Sequence, residues 1–185
     1  GDVFIYRYIK EEDRIIAVLS DGMGHGVKAN VLATLTSTMA LNFTREHKDI
    51  DRIAEVIMNT LPVCNIRKIS YSTFTIVDIE PAGKVSILEY DNPPAVILRG
   101  KEMIEPEWMT VRLETGKHAG KTLRKCSFIP EKEDRIILCS DGVTQSGMGS
   151  DDYPFGWERE NLIKYASGLV SGDRSVSAQA LAGKI

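Results

Sequence analysis

Cysteine is scarce in this chain: Cys64, Cys126 and Cys139 are widely separated among 185 residues. An odd count without a C-x-x-C pair excludes both a disulfide framework and a thiolate zinc site. Cys139 sits inside the apolar run Ile136–Cys139 and reads as a small buried hydrophobe. Long hydrophobic runs are missing too. No stretch could span a bilayer, and the N-terminus lacks the pattern of a signal peptide, so the chain reads as cytoplasmic. Nor is there an excess of either charge. A formal net charge of −3 leaves no basic footprint for nucleic acid and no polybasic stretch for an anionic membrane. What remains is ordinary globular composition, 43% hydrophobic and 26% charged, at a length that suits one domain over residues 1–185 with a real core. No linker, tandem repeat or low-complexity tract divides it.

The pattern along the chain alternates between strands and helices. Val3–Ile9 and Ile15–Leu19, around the polar turn Lys10–Asp13, predict a hairpin. A glycine-rich loop, Asp21-Gly22-Met23-Gly24-His25-Gly26, follows. From Val27 the spacing turns helical, and the stripe Val31, Leu35, Met39 and Phe43 reads most simply as a core face. A second helix is expected over Asp51–Leu61, ended by Pro62. Strands are expected at Thr73–Ile79, Val85–Tyr90 and Ala95–Leu98, with Leu123–Ile129 and Arg135–Ser140 as a further pair. Helices over Glu158–Ala166 and Ser175–Ile185 close the chain. Runs of consecutive strands interrupted by helix pairs point to α+β with mainly antiparallel sheet.

An internal echo carries the chemistry. Arg14-Ile15-Ile16-Ala17-Val18-Leu19-Ser20-Asp21-Gly22 resembles Arg135-Ile136-Ile137-Leu138-Cys139-Ser140-Asp141-Gly142, each an apolar strand stopping at Ser-Asp-Gly. Such an ending sets a carboxylate at the rim of a sheet, while glycine lets its own carbonyl approach a ligand. Two endings on neighbouring strands would bring two carboxylates together. Unpaired they repel, and one must take a proton; a hard divalent cation removes the conflict. Oxygen donors favour magnesium, manganese or calcium over zinc, and two bridged ions can generate a hydroxide and clamp a phosphoryl oxygen. A lone Asp-Gly is more often a turn, but the glycines at 22, 24 and 26 exceed what a hairpin needs. The loop has neither the Walker lysine and serine nor the G-x-G-x-x-G pattern, and no EF-hand loop is present.

Gly1-Asp2, Ser20-Asp21-Gly22-Met23-Gly24-His25-Gly26 and Ser140-Asp141-Gly142-Val143-Thr144, in that order, resemble the type 2C metal-dependent protein phosphatases. Among these the bacterial sporulation stage II E (SpoIIE) subgroup is the nearest. Asp91-Asn92-Pro93-Pro94-Ala95 and Pro154-Phe155-Gly156-Trp157-Glu158 are similar to two of its connecting segments. The resemblance implies two antiparallel β-sheets packed as a sandwich flanked by helices. It implies two Mn2+ or Mg2+ ions: Asp21 bridging both, the Gly22 carbonyl and Asp2 completing one site, and Asp141 holding the other ion. It further implies attack of a metal-bridging hydroxide on phosphoserine or phosphothreonine without a phosphoenzyme. The implied substrate is a small phosphorylated regulatory protein such as an anti-sigma-factor antagonist, with a homodimer left open.

The chain departs from the family in places. The Asp-Asp pair that supplies a further ligand before the last core strand is not met before Ile185, and no strand precedes Gly1. The chain therefore reads as clipped at both ends, and weak binding at the Asp141 side is expected. Asp151-Asp152 read as loop residues, and Asp173 as a turn or helix cap. His25 could donate a proton to the leaving seryl oxygen, or simply face solvent or cap the next helix. His47 reads as a surface residue and His118 as part of a mobile loop. Met148–Pro154 reads as a flap over substrate or as a plain surface loop. Two readings from different classes stay open: a metal-dependent protein phosphatase, and a degenerate phosphatase fold that binds or scaffolds without turnover. A haloacid-dehalogenase site is excluded, because Leu19 and Ser20 precede Asp21 where Asp-x-Asp is required.

Overall fold

The structure is a computed structural model, and it describes residues 1–24, 26–46, 49–60, 72–81, 83–114, 116 and 118–185. In chain order the strands and helices are β1 (Asp2–Ile9), β2 (Arg14–Gly22), α1 (Val27–Arg45), α2 (Ile50–Thr60), β3 (Ser72–Ile79), β4 (Val85–Tyr90), β5 (Val96–Arg99), β6 (Glu102–Met103), β7 (Met109–Arg112), β8 (Thr122–Phe128), β9 (Arg135–Ile137), α3 (Asp141–Thr144), α4 (Glu158–Gly172) and α5 (Ala178–Ala182). The class is α+β with two antiparallel sheets, as the strand pattern predicts. Two compact units result: Gly1–Asn92 with Pro106–Pro130, and Pro93–Glu105 with Glu131–Ile185. Among the described residues no helix is long and apolar enough to cross a membrane.

The first unit holds a sheet of order β1-β2-β3-β4-β8-β7, with α1 and α2 packed on one face. Alternation explains that face: Ile16 and Val18 of β2, Phe74 and Ile76 of β3, and Leu88 and Tyr90 of β4 all turn into one core. From α2 come Ile53, Ala54, Ile57 and Met58, a single stripe of an amphipathic helix. Helix α1 departs from expectation. Val27, Val31 and Leu35 are exposed, and the buried face is Ala29, Ala33, Thr36, Ser37, Ala40, Leu41 and Thr44. Small side chains let the helix backbone lie close to the sheet. The three hydroxyls tolerate burial because each donates within the helix, Thr36 to the Leu32 carbonyl and Thr44 to the Ala40 carbonyl at 2.8 Å, and Ser37 to the Thr34 carbonyl at 3.1 Å.

A buried ion pair fixes the far end of this layer. Arg14, at the start of β2, grips Asp78 of β3 with Nε–Oδ1 2.8 Å and Nη2–Oδ2 2.7 Å. Its Nη2 also donates to the Thr44 carbonyl at 2.8 Å, tying the end of α1 to the sheet.

The second unit holds the sheet β6-β5-β9, covered by α4. Leu162, Ala166 and Val170, one helical turn apart, meet Val96 and Leu98 of β5 together with Cys139, Val176 and Leu181. Cys139 is buried, as its apolar run predicts. Arg99 of β5 forks onto Asp134 (Nε–Oδ1 3.0 Å, Nη2–Oδ2 2.8 Å), and that guanidinium holds the Asp134 carboxyl below its ordinary value. The contact explains a corrected pairing. The segments near 123–129 and 135–140 do not pair with each other: β8 lies between β4 and β7, while Asp134 draws the next strand, β9, onto β5. Two short strands, β6 and β7, carry no alternation strong enough to be read from sequence. The expected last residue of the second helix, Leu61, and the Pro62 stop lie outside the described residues, as do Cys64 and His47.

Removing one partner of a buried ion pair leaves the other charge stranded. Asp78→Ala is therefore expected to cost about 3–5 kcal/mol of stability. Urea unfolding followed by circular dichroism checks this, and a loss below about 1 kcal/mol, the range of an exposed pair, would contradict it.

Candidate metal centre

At the other end of β2 the sheet terminates in carboxylates. Asp2 opens β1, Asp21 closes β2, and the register pairs them directly, Asp2↔Asp21. Residues opposite each other across an antiparallel pair share a face, so these two side chains meet without any further strand. Asp21 is half-buried, and its carboxyl is held above the ordinary carboxylate value, first by burial and then by the hydrogen bond and charge of Asp2. The N-terminal ammonium pulls the other way. That ammonium donates to Asp21 Oδ1 at 3.2 Å, to the Gly22 carbonyl at 2.9 Å and to the Gly24 carbonyl at 3.5 Å. Oxygen atoms of Asp21, Gly22 and Gly24 thus converge on one point beside the end of β2.

Gly22 is required here by space. A Cβ on it would stand 2.0 Å from the Ala29 carbonyl oxygen and 2.7 Å from the Ala29 carbonyl carbon. The first turn of α1 thereby lies against the end of β2. Gly24 (φ 90°) and Gly26 (φ 80°) have open space around them and are required by their left-handed backbone instead.

A polar network that sequence reasoning missed holds the strand end. Ser72 Oγ donates to the Asp21 carbonyl at 3.0 Å and lies 2.7 Å from Ser20 Oγ; both serines are fully buried. Thr73, opposite Asp21 in register, donates to Asn92 Oδ1, and Asn92 Nδ2 donates to Thr75 Oγ1 at 3.0 Å. The available signal was weak: a run of Ser and Thr at the start of a strand, and an Asn before two prolines.

Asp141 belongs to the second unit. It is the first residue of α3, behind the buried Ser140, and its side chain is exposed. Its carbonyl accepts from Gln145 N at 2.7 Å. Gly156 (φ 92°) presses on this turn, since a Cβ there would lie 2.6 Å from the Thr144 carbonyl oxygen. The Ser-Asp-Gly echo therefore has two structural outcomes: at Asp21 the strand continues through the motif, whereas at Asp141 the motif opens a helix. The strands that precede them are not neighbours in one sheet, β2 lying between β1 and β3 and β9 beside β5. Asp2 is the carboxylate that faces Asp21 within its own sheet.

The remaining candidates sort as follows. Asp151 and Asp152 are exposed in a loop. Asp173 follows α4 and accepts from Ser175 N at 2.9 Å and Ser175 Oγ at 2.6 Å, a turn residue as expected. His118 is buried, 1% exposed, in a turn closed by Lys121 N donating to its carbonyl, so it is not a loose loop side chain. His25 lies outside the described residues. Among the described residues no group of three or more His, Cys, Asp or Glu side chains is placed to hold a metal ion. The donor set assembled in the first unit is two carboxylates and main-chain carbonyls, all of them hard oxygen donors of the kind Mg2+ and Mn2+ accept.

Comparison with known proteins gives the family and agrees with the fold. The family model for Stage II sporulation protein E (SpoIIE) matches residues 11–182. The chain is similar in structure to the PP2C phosphatase domain and regulatory-domain fragment of SpoIIE from Bacillus subtilis, at 20% identity and TM-score 0.73 over 99% of this chain and 52% of that one. It is similar to the RsbU and RsbW domains of a Mycobacterium tuberculosis protein, at 18% identity and TM-score 0.70 over 98% and 49%. It is also similar to RsbX in complex with magnesium, at 16% identity and TM-score 0.58 over 94% and 81%. The chain spans about half the length of the first two. No curated protein matches it.

Asp21→Asn removes the charge that burial and Asp2 disfavour. Without metal, the variant is expected to melt at or above the wild-type temperature. The sign for pH follows from the raised value. The folded state binds the Asp21 proton more tightly than the unfolded state, so metal-free wild type loses stability as pH rises through the folded pKa. The variant lacks that component. Thermal melts in chelator from about pH 4 to about pH 7 check both; a variant melting well below wild type would refute the expectation.

Proposed function

The chain belongs to the Stage II sporulation protein E family, and from that premise we propose that it is a divalent-metal-dependent protein phosphatase acting on phosphoserine or phosphothreonine of a small regulatory protein. The observation that carries this reading is the Asp2–Asp21 pair with the Gly22 carbonyl at its side. Two carboxylates held together, one of them with a raised pKa, form a site that gains by binding a hard cation.

By the resemblance, Asp2, Asp21, the Gly22 carbonyl and Asp141 would be the residues that hold the ions. Mn2+ and Mg2+ both suit such donors, and the similar RsbX is a magnesium complex. When bound, the ions supply charge neutralisation for the phosphoryl group and acidify the attacking water. The chain's own contribution is placement. β2 is fixed at one end by Arg14 and at the other by Ser72 and the close approach of α1, so Asp21 is presented with little freedom. Pre-fixed charge of this kind needs no reorganisation during the reaction. From the resemblance we infer a substrate among anti-sigma-factor antagonists and similar switch proteins of the cytoplasm, and the M. tuberculosis relative, which has RsbU and RsbW domains, supports that inference.

Mn2+-dependent hydrolysis of an aryl phosphate and of a phosphoserine protein tests the proposal. Asp21→Asn and Asp141→Asn are each expected to reduce turnover by about 100-fold or more. Wild-type protein that binds Mn2+ but hydrolyses neither substrate would instead identify a binding module.

A further inference from the structure

Beside the proposed metal donors stands a pair of side chains with no role in the reading above. Thr73 lies directly opposite Asp21 across β2–β3, so its side chain shares the Asp21 face of the sheet. The Thr73 hydroxyl has one proton and two acceptors within reach: Asn92 Oδ1 at 2.5 Å and the Asp21 carbonyl at 3.5 Å. The proton goes to the nearer one. Asn92 is itself fixed, because its Nδ2 donates to Thr75 Oγ1 at 3.0 Å and Thr75 is fully buried.

We propose that Asn92 and Thr73 are positioning residues for the cation: with its proton held by Asn92, the Thr73 hydroxyl offers only lone pairs to the Asp2–Asp21 end of the sheet. This inference rests on the metal-centre reading and extends it to residues outside the donor set. Released from Asn92, the hydroxyl would turn its proton toward the Asp21 main-chain carbonyl and set a positive hydrogen beside the cation. A hydroxyl locked as an acceptor does the opposite. It lowers the local potential, and it can receive a hydrogen bond from the water shell that Mg2+ and Mn2+ retain. Partners of this kind around metal ligands commonly change affinity by about 10–100-fold.

The test is Mn2+ titration by calorimetry, with the metal-free melting temperature of every variant measured in parallel. Thr73→Val keeps the β-branched shape and removes the hydroxyl. Asn92→Leu frees the Thr73 proton. Both are expected to weaken Mn2+ binding about tenfold or more. Thr73→Ser, which keeps the hydroxyl, and Asn92→Asp, which still accepts the Thr73 proton, are expected to bind like wild type or better. If Thr73→Val melts like wild type and binds Mn2+ with unchanged affinity, the inference is overturned while the metal centre stands. Failure of Thr73→Ser and Asn92→Asp to retain affinity also overturns it. If wild type itself binds no Mn2+, the metal-centre reading falls, and this inference with it.

Discussion

Two carboxylates face each other across the first hairpin, and the rest of the architecture answers to that. Asp2 and Asp21 are brought opposite each other by strand register alone, so the end of the hairpin sets two carboxylates on one face. Burial and the neighbouring Asp2 raise the Asp21 pKa, and the Gly22 and Gly24 carbonyls lie at the same end of the strand. Under the proposed reading such a site costs stability when empty and gains it when a cation is bound.

The position of Asp21 depends on contacts at both ends of β2. At one end Arg14 joins Asp78 and the last turn of α1. At the other, the missing side chain of Gly22 admits the backbone at Ala29. Helix α1 is consequently tied to the sheet at its first and last turns. Its inward face of alanines and self-satisfied hydroxyls lets it lie flat between them.

Much of this was legible in the sequence. The alternation in β3 and β4 and the turn between them marked those strands to within one residue, while the run read for β2, Ile15–Leu19, stopped three residues short of its end. The Asp-Gly-Met-Gly-His-Gly stretch marked the strand-to-helix turn that Gly22, Gly24 and Gly26 require. Three things were hidden. The face of α1 was misread because aliphatic side chains outrank alanine, serine and threonine on any hydrophobic scale, whereas close backbone approach selects the small ones. The residues alone suggested that the two Ser-Asp-Gly strands are neighbours, which the sheet order does not bear out; Asp2, at the start of a strand and with no motif of its own, was named through the family resemblance and not from the pattern. The network of Ser20, Ser72, Thr73 and Asn92 depends on strand register, and a list of polar residues does not contain it.

The sheet order gives the two facing carboxylates unequal mechanical support. Asp21 is on β2, laddered on both sides by β1 and β3, while Asp2 is on β1, which among the described residues has β2 as its single neighbour in the sheet. Pairing on both flanks restrains the backbone that carries Asp21 more than an edge strand would, so its carboxylate keeps one direction while the loop beyond Gly22 turns toward α1.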